Sequence, residues 1–271
     1  MWSPWALRLG GFLFLTLFVS LIITFVFSAV ALSDGPDFSR DEVAETLADI
    51  EDNKAAYSLG VAFDVLSNFL LVGVAAVLYM LLRNGPWYVL ARERPATLDI
   101  ETLAACPRMI ALIPALGTAV AATLFLVADV ANIALYRLAV DFSEGGVEGA
   151  DEEDILQNAR AVGLFAEAAI ITGLSALGAS LILFGGLMTF YPLAHVVPAG
   201  AYRTPPYWLG WLAIVAGLFM LLGWLTYLDE DVGMVAFVGS QLGLAFLLLM
   251  GAWFLLFAGR ETPPNEIRAA S

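Results

Sequence analysis

Long apolar stretches recur six times along the chain, and they constrain its fold more than any other feature. The first, residues 9–32, carries no charge, whereas about 20 apolar residues suffice to cross a hydrocarbon layer of about 30 Å. Backbone groups in hydrocarbon must find hydrogen-bond partners within the protein, and a helix provides them within one segment. We therefore predict an all-α, polytopic membrane protein built as a bundle of six transmembrane helices. The predicted spans are residues 9–32, 57–82, 109–140, 161–191, 207–228 and 234–258.

Composition agrees with this prediction and limits the number of domains. Apolar residues make up 61% of the chain and charged residues 14%, against roughly 45–50% apolar residues in soluble domains. The 271 residues leave no room for an additional soluble domain. We expect a single transmembrane domain over residues 1–271. Ala29-Val30-Ala31 resembles a signal-peptide cleavage site, but the apolar stretch exceeds the usual ~7–15 residues, which favours a retained helix.

The charge balance excludes some partners. A net charge of -14 and a pI near 4.3 exclude a general affinity for nucleic acid, which needs basic patches. Cations and a salty exterior suit such a chain better. Lys54 is the only lysine, and acids outnumber bases 26 to 12. This bias leads to the hypothesis of a proteome adapted to high salt.

Cys106 and His195 are the only cysteine and histidine of the chain. They cannot provide a disulfide framework, a Cys/His zinc site or bis-histidine haem ligation. No lysine lies in a predicted span, so a retinal-type Schiff base is also excluded. We expect no cofactor. The lipid bilayer is the predicted partner, and the sequence does not indicate a protein partner.

Two connecting segments carry helical patterns. In the acidic segment 33–56, Val43, Leu47 and Ile50 recur at helical intervals, which predicts a short amphipathic helix in the first outer loop. Ser39 and Glu42 have the spacing of a capping box. The basic loop 86–107 is predicted to contain a short interfacial helix, capped by Asp99, before the third span.

Basic residues predict the orientation of the spans. Cytoplasmic loops are enriched in Arg and Lys, and an inside N-terminus puts eight of the twelve basic residues on the inner side. These are Arg8, Arg83, Arg92, Arg94, Arg108, Arg203, Arg260 and Arg268. Both termini are then cytoplasmic, and the acidic segments 33–56, 141–160 and 229–231 face outward. We expect a multi-pass protein of the plasma or inner membrane.

Four short motifs lie at the ends of predicted spans: RLGG at 8–11, YSLG at 57–60, LYMLLR at 78–83 and PYWLGWL at 206–212. In these motifs and their order, the chain resembles an uncharacterised domain-of-unknown-function family of small six-helix membrane proteins of bacteria and archaea. The resemblance implies the same six-helix fold over nearly the whole chain. The family has no assigned activity, so it implies no catalytic residues.

Three carboxylates lie inside predicted spans. Such residues usually face the protein interior or a water-filled cavity. Asp64 lies one helical turn from Asn68, and Asp129 nearly one turn from Asn132, so each helix presents an acid and an amide on one face. The candidate polar cluster consists of Asp64, Ser67, Asn68, Asp129, Asn132, Arg137 and Glu167.

Three functional interpretations of this cluster remain open. It forms an outward-facing site for a small cation or proton, or it joins helices in a structural or accessory subunit, with Arg137 neutralising one acid. A third interpretation, an intramembrane aspartic protease, requires Asp64 and Asp129 face to face. The glycine-x-glycine expected before the second aspartate is replaced by Leu126-Val127-Ala128. We expect a protein without catalytic activity, and the sequence identifies no catalytic or metal-binding residue.

Overall fold

Every element that the structure describes is helical. The computed structural model describes residues 4–32, 38, 42–83, 100–143, 152–190, 206–227 and 233–257. Within these ranges there are seven α-helices, one 3-10 helix and no strand, which confirms the all-α prediction for this part of the chain. The α-helices are α1 (Pro4–Ala31), α2 (Val43–Asp52), α3 (Lys54–Arg83), α4 (Ile100–Ser143), α5 (Glu152–Phe190), α6 (Tyr207–Leu221) and α7 (Gly233–Phe257).

Five of these helices are long and apolar enough to cross a membrane. Their apolar segments are Arg8–Ala31, Lys54–Met80, Ala111–Ser143, Glu153–Thr189 and Phe237–Leu256. The protein is therefore a multi-pass membrane protein. The predicted span at residues 207–228 is instead a 15-residue α-helix, α6, followed by the 3-10 helix Leu222–Tyr227.

Two helices begin earlier than the sequence analysis predicted. α4 begins at Ile100 and continues without interruption through Pro107 and Pro114, so the prediction of a separate interfacial helix was wrong. Proline is tolerated within membrane helices because neighbouring groups satisfy the freed carbonyl. The Thr118 hydroxyl donates to the carbonyl oxygen of Pro114, one turn earlier in the same helix, at 2.9 Å. α5 begins at Glu152, nine residues before its predicted start.

The short helix α2 has the predicted apolar face but not the predicted cap. Val43, Leu47 and Ile50 are buried, as their spacing indicated. The N-cap residue is Glu42, which makes no side-chain capping hydrogen bond, so the capping-box register was wrong. Ser39, Asp99, the loop 86–99, the acidic segment 144–151 and the hairpin 229–231 lie outside the described residues.

The chain divides into two compact units, and the expectation of a single domain stays a prediction. The first comprises Met1–Phe18, Leu70–Ala121 and Leu174–Ser271. Among its described residues, close contacts join α1 to α3 and α1 to α7. Gly10 of α1 meets Val77 of α3, and the rings of Phe14 and Phe254 join α1 to α7 with centroids 5.7 Å apart.

Glycines permit the closest helix contacts of this first unit. A Cβ atom on Gly178 of α5 would lie 2.8 Å from the backbone nitrogen of Leu221 in α6. One on Gly239 of α7 would lie 2.6 Å from the backbone nitrogen of Met220. Such small residues let helix backbones approach in membranes, where dispersion rather than hydrophobic exclusion holds helices together. α6 is therefore in backbone contact with both α5 and α7.

The second unit comprises Val19–Phe69 and Ala122–Gly173. It contains the C-terminal part of α1, all of α2, and parts of α3, α4 and α5. One end is closed by an apolar cluster in which α2 covers the long helices. The cluster consists of Ala31, Phe38, Val43, Leu47, Ile50, Tyr57, Leu135, Ala139, Ile155 and Ala159. Burial of its apolar face thus fixes α2 on this unit.

Two neighbouring glycines of α5 provide a test of the α5–α6 contact. A Cβ atom on Gly185 would collide with the carbonyl oxygen of Gly210 and lie 2.9 Å from the nitrogen of Ile214, whereas one on Gly186 would meet nothing within 4 Å. We expect Gly185→Ala to lower the free energy of unfolding by about 1–3 kcal/mol. Gly186→Ala is the control and should be neutral or stabilising by up to ~1 kcal/mol, because alanine favours helix. Unfolding in mixed micelles measures both; equal effects would contradict the contact.

Candidate functional site

The contact between α3 and α4 in the second unit contains most of the polar side chains singled out in the sequence. Asp64 and Asn68 lie one turn apart on α3 and so project from the same face. Nδ2 of Asn68 donates a hydrogen bond to Oδ2 of Asp129 on α4, with a nitrogen-to-oxygen distance of 2.8 Å. Asn68 is 3% exposed and Asp129 is 1% exposed. The bond therefore joins two helices at a site without access to bulk water.

Asp129 also meets a second acid. Its carboxyl group lies next to the carboxyl group of Asp64, close enough for the two acids to interact directly. Oδ1 of Asp129 is buried and accepts no hydrogen bond from an N–H or hydroxyl group of the described residues. Two carboxylates at such close range repel each other, and a hydrogen bond between two carboxyl groups requires a shared acid proton. Asp64 and Asp129 thus form a carboxyl pair.

Tyr57 provides a further polar link between the same helices. Its hydroxyl donates to the backbone oxygen of Asn132 at 3.2 Å. Its ring stacks on Tyr136, with centroids 6.4 Å apart and an interplanar angle of 12°. The sequence predicted Tyr57 only as the first residue of a span. Its position seven residues, or about two helical turns, before Asp64 was the signal that it shares the face of the acid.

Ser67 and Asn132 lie near the carboxyl pair, but they bond elsewhere. The Ser67 hydroxyl donates to the carbonyl oxygen of Phe63 in its own helix at 2.8 Å. The same carbonyl accepts the hydroxyl of Ser20 from α1 at 3.0 Å. The contact that Asn132 makes with Tyr57 uses its backbone oxygen. Ser67 is thus satisfied locally, whereas Asn68 holds the pair.

Arg137 and Glu167 are both exposed. Arg137 forms no ion pair with the residues that the structure describes. It follows Asp129 by eight residues on α4, which turns it about 80° away and moves it about 12 Å along the axis. Glu167, on α5, makes no ion pair with the described residues either.

A cavity of about 540 Å³ lies within the second unit, beside the carboxyl pair. Asp64 and Glu167 both line it, as do Tyr57 and Asn132. Asp129 does not belong to the lining. The cavity therefore reaches Asp64, whereas Asp129 is buried and does not line it.

The donor set of the described residues does not suit a multivalent metal ion. Among them, no three His, Cys, Asp or Glu side chains come together as metal ligands. Glu167 in particular does not complete a three-carboxylate site with Asp64 and Asp129. Within the described part of the chain, the chemistry of the carboxyl pair is that of two acids and one amide.

Neighbouring polar residues of α3 provide a test of the buried hydrogen bond. We expect Asn68→Ala to lower the free energy of unfolding by about 1–2 kcal/mol, because Asp129 loses its amide donor in a buried site. Ser67→Ala is the matched control and should change it by less than ~0.5 kcal/mol, since the serine bonds its own helix. Denaturation in mixed micelles measures both values. A Ser67→Ala loss as large as that of Asn68→Ala would contradict the assignment.

Comparison with known proteins gives one family match. A family model described as "Domain of unknown function (DUF4386)" matches residues 9–91, a range that includes all of α2 and α3 and most of α1. Comparisons with curated proteins and with solved structures gave no match. The matched range includes Asp64 and Asn68, whereas Asp129 lies beyond it. Over residues 9–91 the match confirms the resemblance to an uncharacterised family, and the chain is in that part similar to DUF4386.

Proposed function

We propose that the protein crosses the plasma or inner membrane six times, with both termini in the cytoplasm. In addition to the five long helices, α6 and the 3-10 helix that continues it form the remaining crossing, the fifth in chain order. At about 1.5 Å per α-helical residue and about 2.0 Å per 3-10 residue, the two together measure roughly 34 Å, enough for the hydrocarbon layer. The eight basic residues of the inner segments support the orientation.

Cysteine labelling tests this topology, because Cys106 is the only native cysteine. In a Cys106→Ser background, Ser143→Cys at the exposed end of α4 should react with a membrane-impermeant maleimide in intact cells. Ser271→Cys should react only after permeabilisation. The opposite pattern would overturn the orientation, and labelling of both in intact cells would overturn the number of crossings.

We further propose that the carboxyl pair binds and releases a proton through the cavity. The observation that carries this proposal is the close approach of the carboxyl groups of Asp64 and Asp129 beside a cavity that Asp64 lines. The pair needs one proton to be stable, and the partly buried Asp64 lines a cavity through which a proton can leave. The Asn68 amide keeps Asp129 in place while Asp64 changes its protonation.

A proton suits this site better than a metal cation. Ca²⁺ takes about six to eight oxygen ligands and Mg²⁺ about six, whereas the described residues bring no three acidic or imidazole side chains together. An ionised carboxylate within a bilayer costs about 2.5–3.5 kcal/mol or more. Sharing a proton removes one of the two charges and keeps the second acid hydrogen-bonded. The ligand proposed for the carboxyl pair is therefore a proton and not a divalent metal cation.

Two other functions explain fewer of these contacts. A structural or accessory subunit needs the Asn68–Asp129 bond but not a cavity at Asp64. An intramembrane aspartic protease gains from the contact between the two aspartates, yet it needs both carboxyl groups to reach a substrate. Asp129 is 1% exposed and its Oδ2 is engaged by Asn68, which weakens the protease alternative.

Proton flux tests the proposal. In proteoliposomes with an internal pH-sensitive dye, we expect the wild type to dissipate an imposed pH gradient and Asp64→Asn to reduce the initial rate at least tenfold, because asparagine carries no acid proton. Glu45→Gln, a change to an exposed acid on α2, is the control and should retain the wild-type rate. A wild-type rate no higher than that of protein-free liposomes would overturn the proposal and favour the structural subunit. Cleavage of a membrane-embedded peptide that depends on both aspartates would favour the protease.

A further inference from the structure

The cavity in the second unit has the size and lining of a ligand site. Its volume of about 540 Å³ falls within the roughly 300–1,000 Å³ typical of small-molecule sites. Most of its wall is apolar, with side chains such as Phe25, Leu135 and Ile170, and acids lie at two places, Asp64 and Glu167. A proton needs no such space. The apolar volume indicates an organic ligand.

The charge of the wall indicates that this ligand is a cation. Asp64 and Glu167 line the cavity, and the described residues contribute no Lys, Arg or His to it. In an apolar site, acids without a basic partner favour a positively charged group. The hydroxyl oxygen of Thr24, also in the lining, is buried and makes no hydrogen bond within the described part of the chain. It is available to accept a hydrogen bond from an N–H group.

The exposed residues of the lining indicate where the ligand enters. All of them belong to α1 or α5: Phe25 (54% exposed), Ser28, Ala29, Glu167 and Ile170 (37% exposed). Lining residues from α3 and α4 are buried or partly buried, as in Tyr57 and Leu135. The exposed set lies within segments apolar enough to cross a membrane. The cavity therefore opens along α1 and α5 toward the lipid.

We propose that this cavity binds an amphiphilic, monovalent organic cation that enters from the bilayer. Its positive group lies between Asp64 and Glu167, and its apolar body packs against Phe25, Leu135 and Ile170. The exposed Glu167 would attract the cation at the rim, and Asp64 would hold it inside. The proposal rests on the proposed function in one respect: Asp64 must be able to give up its shared proton when the cation arrives.

Equilibrium binding of ethidium tests this proposal. Ethidium is a planar monovalent cation with amine N–H groups, and its fluorescence anisotropy can be followed with the wild-type protein in lipid nanodiscs, with empty nanodiscs as the blank. We expect saturable binding at one site. Asp64→Asn should raise the Kd at least tenfold and Glu167→Gln about threefold. The anion 8-anilinonaphthalene-1-sulfonate should show no saturable binding beyond the blank.

A pair of tryptophan substitutions on α1 tests the opening. Ser28→Trp places a large ring at the exposed rim of the cavity and should raise the Kd for ethidium at least tenfold. Val30→Trp is the matched control: Val30 is 57% exposed on the same helix and does not line the cavity, so the Kd should stay within twofold of wild type. Both positions are exposed on α1.

The outcomes separate this proposal from the proton site. An unchanged Kd in Glu167→Gln and Ser28→Trp would overturn the cation site, even if Asp64→Asn failed to fold. Equal saturable binding of the anion would overturn it as well. Proton flux that depends on Asp64 without ethidium binding would contradict the cation site alone. Ethidium binding that depends on Asp64 and Glu167, in a protein without proton flux, would support the cation site and contradict the proton function.

Discussion

In the hydrocarbon layer, backbone N–H and C=O groups have no water to bond, and the rest of this structure depends on that constraint. It makes helix the only regular structure that a single apolar segment can adopt. It also shifts helix association from the hydrophobic effect to close packing, since lipid chains are as apolar as leucine. Gly178 and Gly239 show the result: each brings backbone against α6. A helix of only 15 residues is thus held by close contacts with two longer ones.

The same constraint applies to polar side chains, and it divides them into two groups. The Ser67 hydroxyl donates a hydrogen bond to the carbonyl oxygen of Phe63 within its own helix, and the Ser180 hydroxyl does the same to Ala176. Such bonds satisfy the hydroxyl and do not hold helices together. Asn68 has no such partner in its own helix and bonds Asp129 on α4 instead. The polar connection between α3 and α4 thus falls to the amide and the carboxyl pair.

Sequence patterns predicted the elements better than their ends. Apolar length predicted the five long spans, and the 3.6-residue period predicted both the buried face of α2 and the shared face of Asp64 and Asn68. Helix ends depend on local hydrogen bonds and packing, which composition does not report. Pro107 was therefore read as a boundary, although α4 passes through it. α5 also begins before its apolar part, at Glu152 and Glu153, because glutamate is a good helix former and a negative charge stabilises the first turn of a helix.

The site shows the same limit at the level of side chains. Which side chains of two neighbouring helices face each other depends on the rotation of each helix about its own axis. A sequence gives only the spacing of residues along one helix. Spacing alone could not show that Glu167 is exposed while Asp129 is buried, nor could it place Tyr57 against Asn132.

The position of the cavity bears on whether the carboxyl pair is structural or functional. If the two acids served only to join α3 and α4, burial of both behind apolar side chains would stabilise the contact most, because water weakens hydrogen bonds between helices. Instead Asp129 is 1% exposed while Asp64 faces a cavity. The member held by Asn68 is buried, and the member without that amide bond faces the open space. In the proposed proton site, this arrangement keeps one acid fixed and leaves the other at the cavity to exchange its proton, an asymmetry that a purely structural pair does not need.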